Sequence, residues 1–235
     1  MSRIASLSFL TVAVLVVLSG NVAAGVVYQG SLTSTDGGLL GTGAWVSPGP
    51  TTLSWVVTEN PNLSFHYAYT LTATVGSVSH FILEVSPSFI GDNVLNPSGP
   101  FGVLYVDDFG PAQGSPGMPE TMYALKFDET EGTTLTLEFD AWRAPVWGDF
   151  YAKDGRAQSD VFNAIWNAGF TSPDWDPPYL PDLNADPPIY PVPPSDGSYM
   201  NHVLVPDSIV VPEPASMVLL GLGLGSLALK RRRAR

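Results

Sequence analysis

Leu63-Ser64-Phe65-His66-Tyr67-Ala68-Tyr69-Thr70-Leu71-Thr72-Ala73-Thr74-Val75 sets large apolar side chains at every second position. A strand turns successive side chains to opposite faces, whereas a helix repeats every 3.6 residues, so a period of two predicts a half-buried strand, or two joined by a bulge. The same period recurs upstream at Leu53, Trp55 and Val57 and downstream at Phe81, Leu83 and Val85. It returns at Tyr123, Leu125 and Phe127, then at Leu135, Leu137, Phe139 and Ala141. Val203-Leu204-Val205 predicts a closing strand. Between these runs lie turn-forming clusters: Asp36-Gly37-Gly38, Asn60-Pro61-Asn62, Asn96-Pro97-Ser98-Gly99-Pro100 and Glu131-Gly132. Many strands with one apolar face and no long amphipathic helix predict an all-β, antiparallel β-sandwich or jelly-roll-like domain over residues 25–210. A short helix is expected at Ser159–Ala168, with Ser159 as its cap. Residues 171–198 hold nine prolines together with Asp174, Asp176, Asp182, Asp186 and Asp196, which predicts an irregular excursion within the domain.

The 235 residues carry a net charge of −12, but the charge is unevenly placed. Six of the ten basic residues are Arg3, Lys230, Arg231, Arg232, Arg233 and Arg235, at the two ends. Residues 25–211 keep four basic side chains against 21 acidic ones, a net of −17. Such a body has no basic face with which to neutralise phosphates, so nucleic acid is excluded as a partner. With no cysteine, disulfides, thiol nucleophiles and thiolate-bound metals are excluded as well.

The ends read as addresses. Residues 1–24 have the form of a secretory signal: Arg3, the apolar run Leu7–Leu18, and small residues ending in Ala24 ahead of Gly25, the expected cleavage point. At the other end, over residues 211–235, Pro212-Glu213-Pro214 precedes an apolar run from Ala215 to Leu229 and then the basic cluster Lys230, Arg231, Arg232, Arg233 and Arg235. Fifteen residues make a helix of roughly 22 Å, short of the ~30 Å hydrocarbon core, a difference that snorkelling arginines and local thinning make up in part. A cytoplasmic basic cluster leaves residues 25–211 outside the membrane.

Pro-Glu-Pro, a glycine-containing apolar span and a terminal basic cluster, in that order, resemble the PEP-CTERM sorting signal of bacterial exported proteins. The resemblance implies Sec-type export, transient anchoring in the inner membrane, and recognition of Pro212-Glu213-Pro214 by an exosortase that processes the tail. It further implies delivery to the envelope, surface or extracellular matrix of an exopolysaccharide- and biofilm-forming bacterium. The middle of the chain, notably residues 143–155, is similar to the β-rich ectodomains of other such proteins.

No catalytic residue is assigned. Glu138 and Asp140 share a strand face about 7 Å apart and are similar to the start of the Glu-x-Asp-x-x-Glu motif of jelly-roll β-glucanases. Arg143 stands where the second Glu would be, so the acid–nucleophile pair is incomplete and a polar outer face is the expectation. His66, His80 and His202 have no metal-ligand spacing, and the first two are expected to face solvent or pair with acids. Two binding readings stay open beside a non-catalytic body. Trp147, Asp149 and Tyr151 are expected to share a face that could stack sugars. Asp149 and Asp154 with Gly155, Asp107-Asp108 and the Asp-rich excursion offer oxygen donors for calcium, although Asp174-Trp175-Asp176 runs into prolines and plain surface acidity explains most of these residues.

Overall fold

The computed structural model describes residues 25–47, 49–111, 114–155, 162–177 and 194–210, with backbone alone for 207–210. The expected signal peptide, with Ala24 at its cleavage point, and the membrane-spanning tail lie outside the described residues, as do Pro212, Glu213, Pro214 and the C-terminal basic cluster. Among the described residues no helix is long and apolar enough to cross a membrane.

Thirteen strands form among the described residues, and the alternating runs fall on the third, fourth, fifth, eighth, ninth and last of them: β1 (Val27–Thr33), β2 (Leu39–Thr42), β3 (Thr52–Glu59), β4 (Phe65–Thr72), β5 (Val78–Glu84), β6 (Leu95–Ser98) and β7 (Val103–Phe109). They continue with β8 (Met122–Asp128), β9 (Thr134–Ala141), β10 (Arg143–Gly148), β11 (Phe150–Asp154), β12 (Ala164–Asn167) and β13 (Val203–Val210). One antiparallel sheet runs β1-β3-β4-β9-β6 and the other β2-β12-β11-β5-β8-β7. Their inner faces meet in one core. Tyr69 of the first sheet lies 5.9 Å from Phe81 of the second, and Phe139 lies 5.9 Å from Phe127. This is a β-sandwich.

A pair of strands, β10 and β13, forms a third small sheet that adds Trp147, Val203, Leu204 and Val205 to the core. The Tyr69 hydroxyl donates to the Leu204 carbonyl at 2.6 Å, tying this pair to β4. The six-stranded sheet is covered on its outer face too, by Met118, Phe109 and Phe170 over Ile82, Ala124 and Tyr151. That second layer explains why Phe81, Ile82 and Leu83 are all buried, where alternation predicts an exposed Ile82.

Three local expectations are corrected. The long run at 63–75 is a strand only over β4, because Leu63 takes a left-handed φ of 71° in the preceding turn and Val75 lies past the strand's end. Asn96-Pro97-Ser98 is not a turn but most of edge strand β6, where a register shift between Leu95 and Ser98 accommodates the missing proline N–H. The helix expected at Ser159–Ala168 is replaced over Ala164–Asn167 by β12, which pairs with β2 on one side and β11 on the other. Pairing on both sides overrides local helical preference there.

Candidate functional site

Five strand ends, those of β5, β10, β11, β12 and β13, meet at Asp149, the residue at which the chain leaves the small sheet and enters the six-stranded one. Gly148 pairs with Val203, so the next rung brings Asp149 beside His202. Phe150 pairs with Leu83, so Glu84 also adjoins Asp149: the Glu84 N–H donates to the Asp149 carbonyl and the Asp149 N–H to Glu84 Oε2, both at 2.9 Å. Asn167, at the end of β12, donates from Nδ2 to Asp149 Oδ1 at 2.5 Å and to the Asn201 carbonyl at 2.9 Å. Its own Oδ1 accepts from the Phe150 N–H. The segment after β12 then brings in Asp174 and Asp176, with the Asp174 N–H donating to Glu120 Oε2 at 2.8 Å.

Two glycines make room for this convergence. A Cβ on Gly169 would stand 2.7 Å from the His202 ring and 2.8 Å from the Met200 carbonyl. On Gly148 it would stand 2.9 Å from Glu84 Oε2 and 2.5 Å from Val205. Real side-chain contacts do not come that close, so any larger residue would displace the imidazole or the carboxylate.

The resulting cluster is acidic and buried. Oxygens of Asp149 and Asp176 and a nitrogen of His202 lie within 4.8 Å of one another, as do oxygens of Glu84, Asp174 and Asp176. Asp149 is fully buried and His202 is 2% exposed. Burial first, and then the charge of Asp176, push the Asp149 carboxyl up to about 9. Burial and the charge of Asp174 push Asp176 up to about 7. Burial raises Glu84 and Asp174 as well, and lowers His202. A cavity of about 450 Å³ opens onto the cluster, lined by Glu84, Asp174, Asp176, Tyr123, Val146 and Trp147 among others, with no lysine or arginine among the described residues of its wall.

The residues singled out in the sequence fare unevenly. Trp147, Asp149 and Tyr151 are not a sugar-stacking face, since they are 3%, 0% and 0% exposed. Alternation breaks because the chain changes sheets at Asp149: Trp147 packs against Tyr199, while Tyr151 stacks on Trp166 in the outer layer. Asp154 does not join Asp149. It sits five residues on, roughly 16 Å along a strand, and accepts from the backbone and side chain of Asn163. Glu138 and Asp140 do share a face, with His66 Nδ1 2.8 Å from Asp140 and Nε2 4.0 Å from Glu138. Arg143 is buried and donates to the Ser88 carbonyl at 3.0 Å. His80 pairs with Asp128, so the two histidines expected to pair with acids do so. Glu84 and His202 went unread as partners of Asp149, because only long-range register brings them there. Asp174 and Asp176 carried a signal, two carboxylates at i and i+2 in an extended stretch.

Fold and site define an all-β, strongly acidic protein whose two sheets are joined around a carboxylate–histidine pocket. Residues 210–233 match the family model of the PEP-CTERM protein-sorting motif, a tail that implies an exported protein, transiently anchored in the membrane and processed by an exosortase. No curated protein and no solved structure matches it.

Proposed function

We propose that the protein is a non-catalytic β-sandwich that its exosortase releases from the inner membrane into the envelope or extracellular matrix, in a pathway associated with exopolysaccharide. The sorting motif carries this reading: it spans 210–233 and begins where β13 ends at Val210. Cleavage near Pro212-Glu213-Pro214 therefore removes nothing from the described sandwich. Residues 1–24 direct Sec-type export and are removed ahead of Gly25.

Two observations support a body without glycosidase chemistry. Asp140 is held by hydrogen bonds from Asn60, Asn96 and His66, and Arg143 is turned toward Ser88 rather than completing a carboxylate pair.

The test is the intact mass of the protein isolated from cells with and without the exosortase. The expected product in normal cells starts at Gly25 and ends close to Pro212-Glu213-Pro214, and the tail persists when the enzyme is deleted. A C-terminus at Arg235 in normal cells would refute the sorting mechanism.

A further inference from the structure

His202 sits in an arrangement that leaves one ring nitrogen without a role inside the protein. Its Nδ1 lies 3.1 Å from the Tyr199 carbonyl, an oxygen that can only accept, so Nδ1 carries the proton. The Nε2 lone pair then points at Asp149 Oδ1, 3.8 Å away, and at Asp176 Oδ1, 3.7 Å away. With both carboxyls ionised, three acceptors face one another with no donor between them. His202 Nε2, Asp149 Oδ2, Asp174 Oδ1 and Asp176 Oδ1 are all buried without a hydrogen-bond partner. Buried polar atoms are almost always paired, and these four belong to two neighbouring groups that share Asp176.

We propose that Asp149, Asp176 and His202 bind one divalent first-row metal ion of the zinc or manganese kind, with Glu84 and Asp174 flanking it on the cavity side. The spacing suits the chemistry. Zinc–ligand bonds of about 2.0–2.2 Å let an ion sit between nitrogen and oxygen atoms 3.7–3.8 Å apart. A metal-bound imidazole normally gives its other N–H to a carbonyl or carboxylate, and the Tyr199 carbonyl occupies that place. Asn167, donating to Asp149 Oδ1, orients the carboxylate in the same way. An imidazole in the donor set argues for a first-row ion over calcium, which takes oxygen ligands. Two carboxylates balance the double charge, and the side of the ion toward Glu84 and Asp174 faces the cavity, leaving a position for water or an oxygen ligand.

The site is independent of how the protein is sorted, and its test does not need the exosortase. The full chain, purified in detergent and stripped with chelator, is melted with Zn²⁺, Mn²⁺ or Ca²⁺ added. At a hundredfold excess over its dissociation constant, Zn²⁺ should raise the midpoint by roughly 5–10 °C, with Ca²⁺ far weaker. His202→Ala and Asp149→Asn should each abolish the shift, while Asp140→Asn, on the opposite sheet, should keep it. Because His202→Ala could unfold, Co²⁺ titration supplies a second readout: the wild-type chain should develop visible absorption bands of an N/O site, and the partly exposed Glu84→Gln should alter them. No shift with Zn²⁺ or Mn²⁺, or a Ca²⁺ shift that His202→Ala leaves intact, would overturn the assignment.

Discussion

Two clusters in this molecule use the same residue types and come to opposite ends. On the outer face of the five-stranded sheet, Asp140 takes hydrogen bonds from Asn96 at 2.8 Å, His66 at 2.8 Å and Asn60 at 3.3 Å. Burial pushes its carboxyl up, but those bonds outweigh it and hold the group below its ordinary value. At the junction of β10 and β11, Asp149 meets Asp176, Asp174 and Glu84 instead, and its carboxyl is pushed up to about 9. Donors make the first cluster self-sufficient. The second has acceptors in excess, and burial denies it the water that would serve a surface group. A carboxylate–histidine contact is thus uninformative until its remaining lone pairs are accounted for.

The sharpest way to break the comparison is to remove one carboxylate oxygen from each cluster. With chelator present, Asp149→Asn should stabilise the protein by on the order of 2 kcal/mol, since an uncompensated buried acid is gone. With zinc in hundredfold excess the same variant should forgo about 2.7 kcal/mol that the wild type gains. Differential scanning calorimetry in both buffers reads the two signs directly. Equal responses to chelator and zinc would erase the distinction between the clusters.

Next in size is Gly169→Ala, whose Cβ would press on the His202 ring. Displacing the imidazole should weaken zinc binding roughly 10–100-fold and cost about 1–3 kcal/mol of stability, measured by competition with a chromogenic chelator and by thermal melting.

Asp140→Asn should be milder and of opposite sign to Asp149→Asn in chelator, a loss of about 1 kcal/mol reduced by solvent screening. Its pH signature follows from the lowered carboxyl. Stability from Asp140 is fully present above the unfolded value, about pH 4, and fades as pH falls through the lower folded value. Melting curves between pH 2 and 5 should therefore show a shallower acid limb in the variant than in the wild type. Smallest of all is Glu138→Gln, whose carboxylate is exposed and 4.0 Å from His66; urea unfolding should change by no more than about 0.5 kcal/mol.

Most of the sandwich was legible because its strands bury one face. Leu53, Trp55 and Val57, or Leu135, Leu137 and Phe139, sit inward as their spacing predicts. Legibility failed where a second layer covers a strand, as over Ile82, and where pairing on both sides recruits a segment with helical character, as at β12. The candidate site was legible only in fragments. Its members lie at positions 84, 149, 174, 176 and 202, and no local pattern relates them beyond the i, i+2 spacing of Asp174 and Asp176. What joins them is register: the rung after Gly148–Val203 and the rung before Phe150–Leu83 are one place. The sorting signal sits at the other extreme, wholly readable because its order along the chain is itself the message.

The most direct measurement of the buried cluster's role is the elemental content of the exported protein, isolated from its own cells without added metal and dialysed against buffer. A close to stoichiometric first-row metal, lost from His202→Ala protein isolated in parallel, is the predicted result. Protein folded and sorted normally but free of zinc, manganese and their neighbours, or carrying the same metal after His202→Ala, would contradict it.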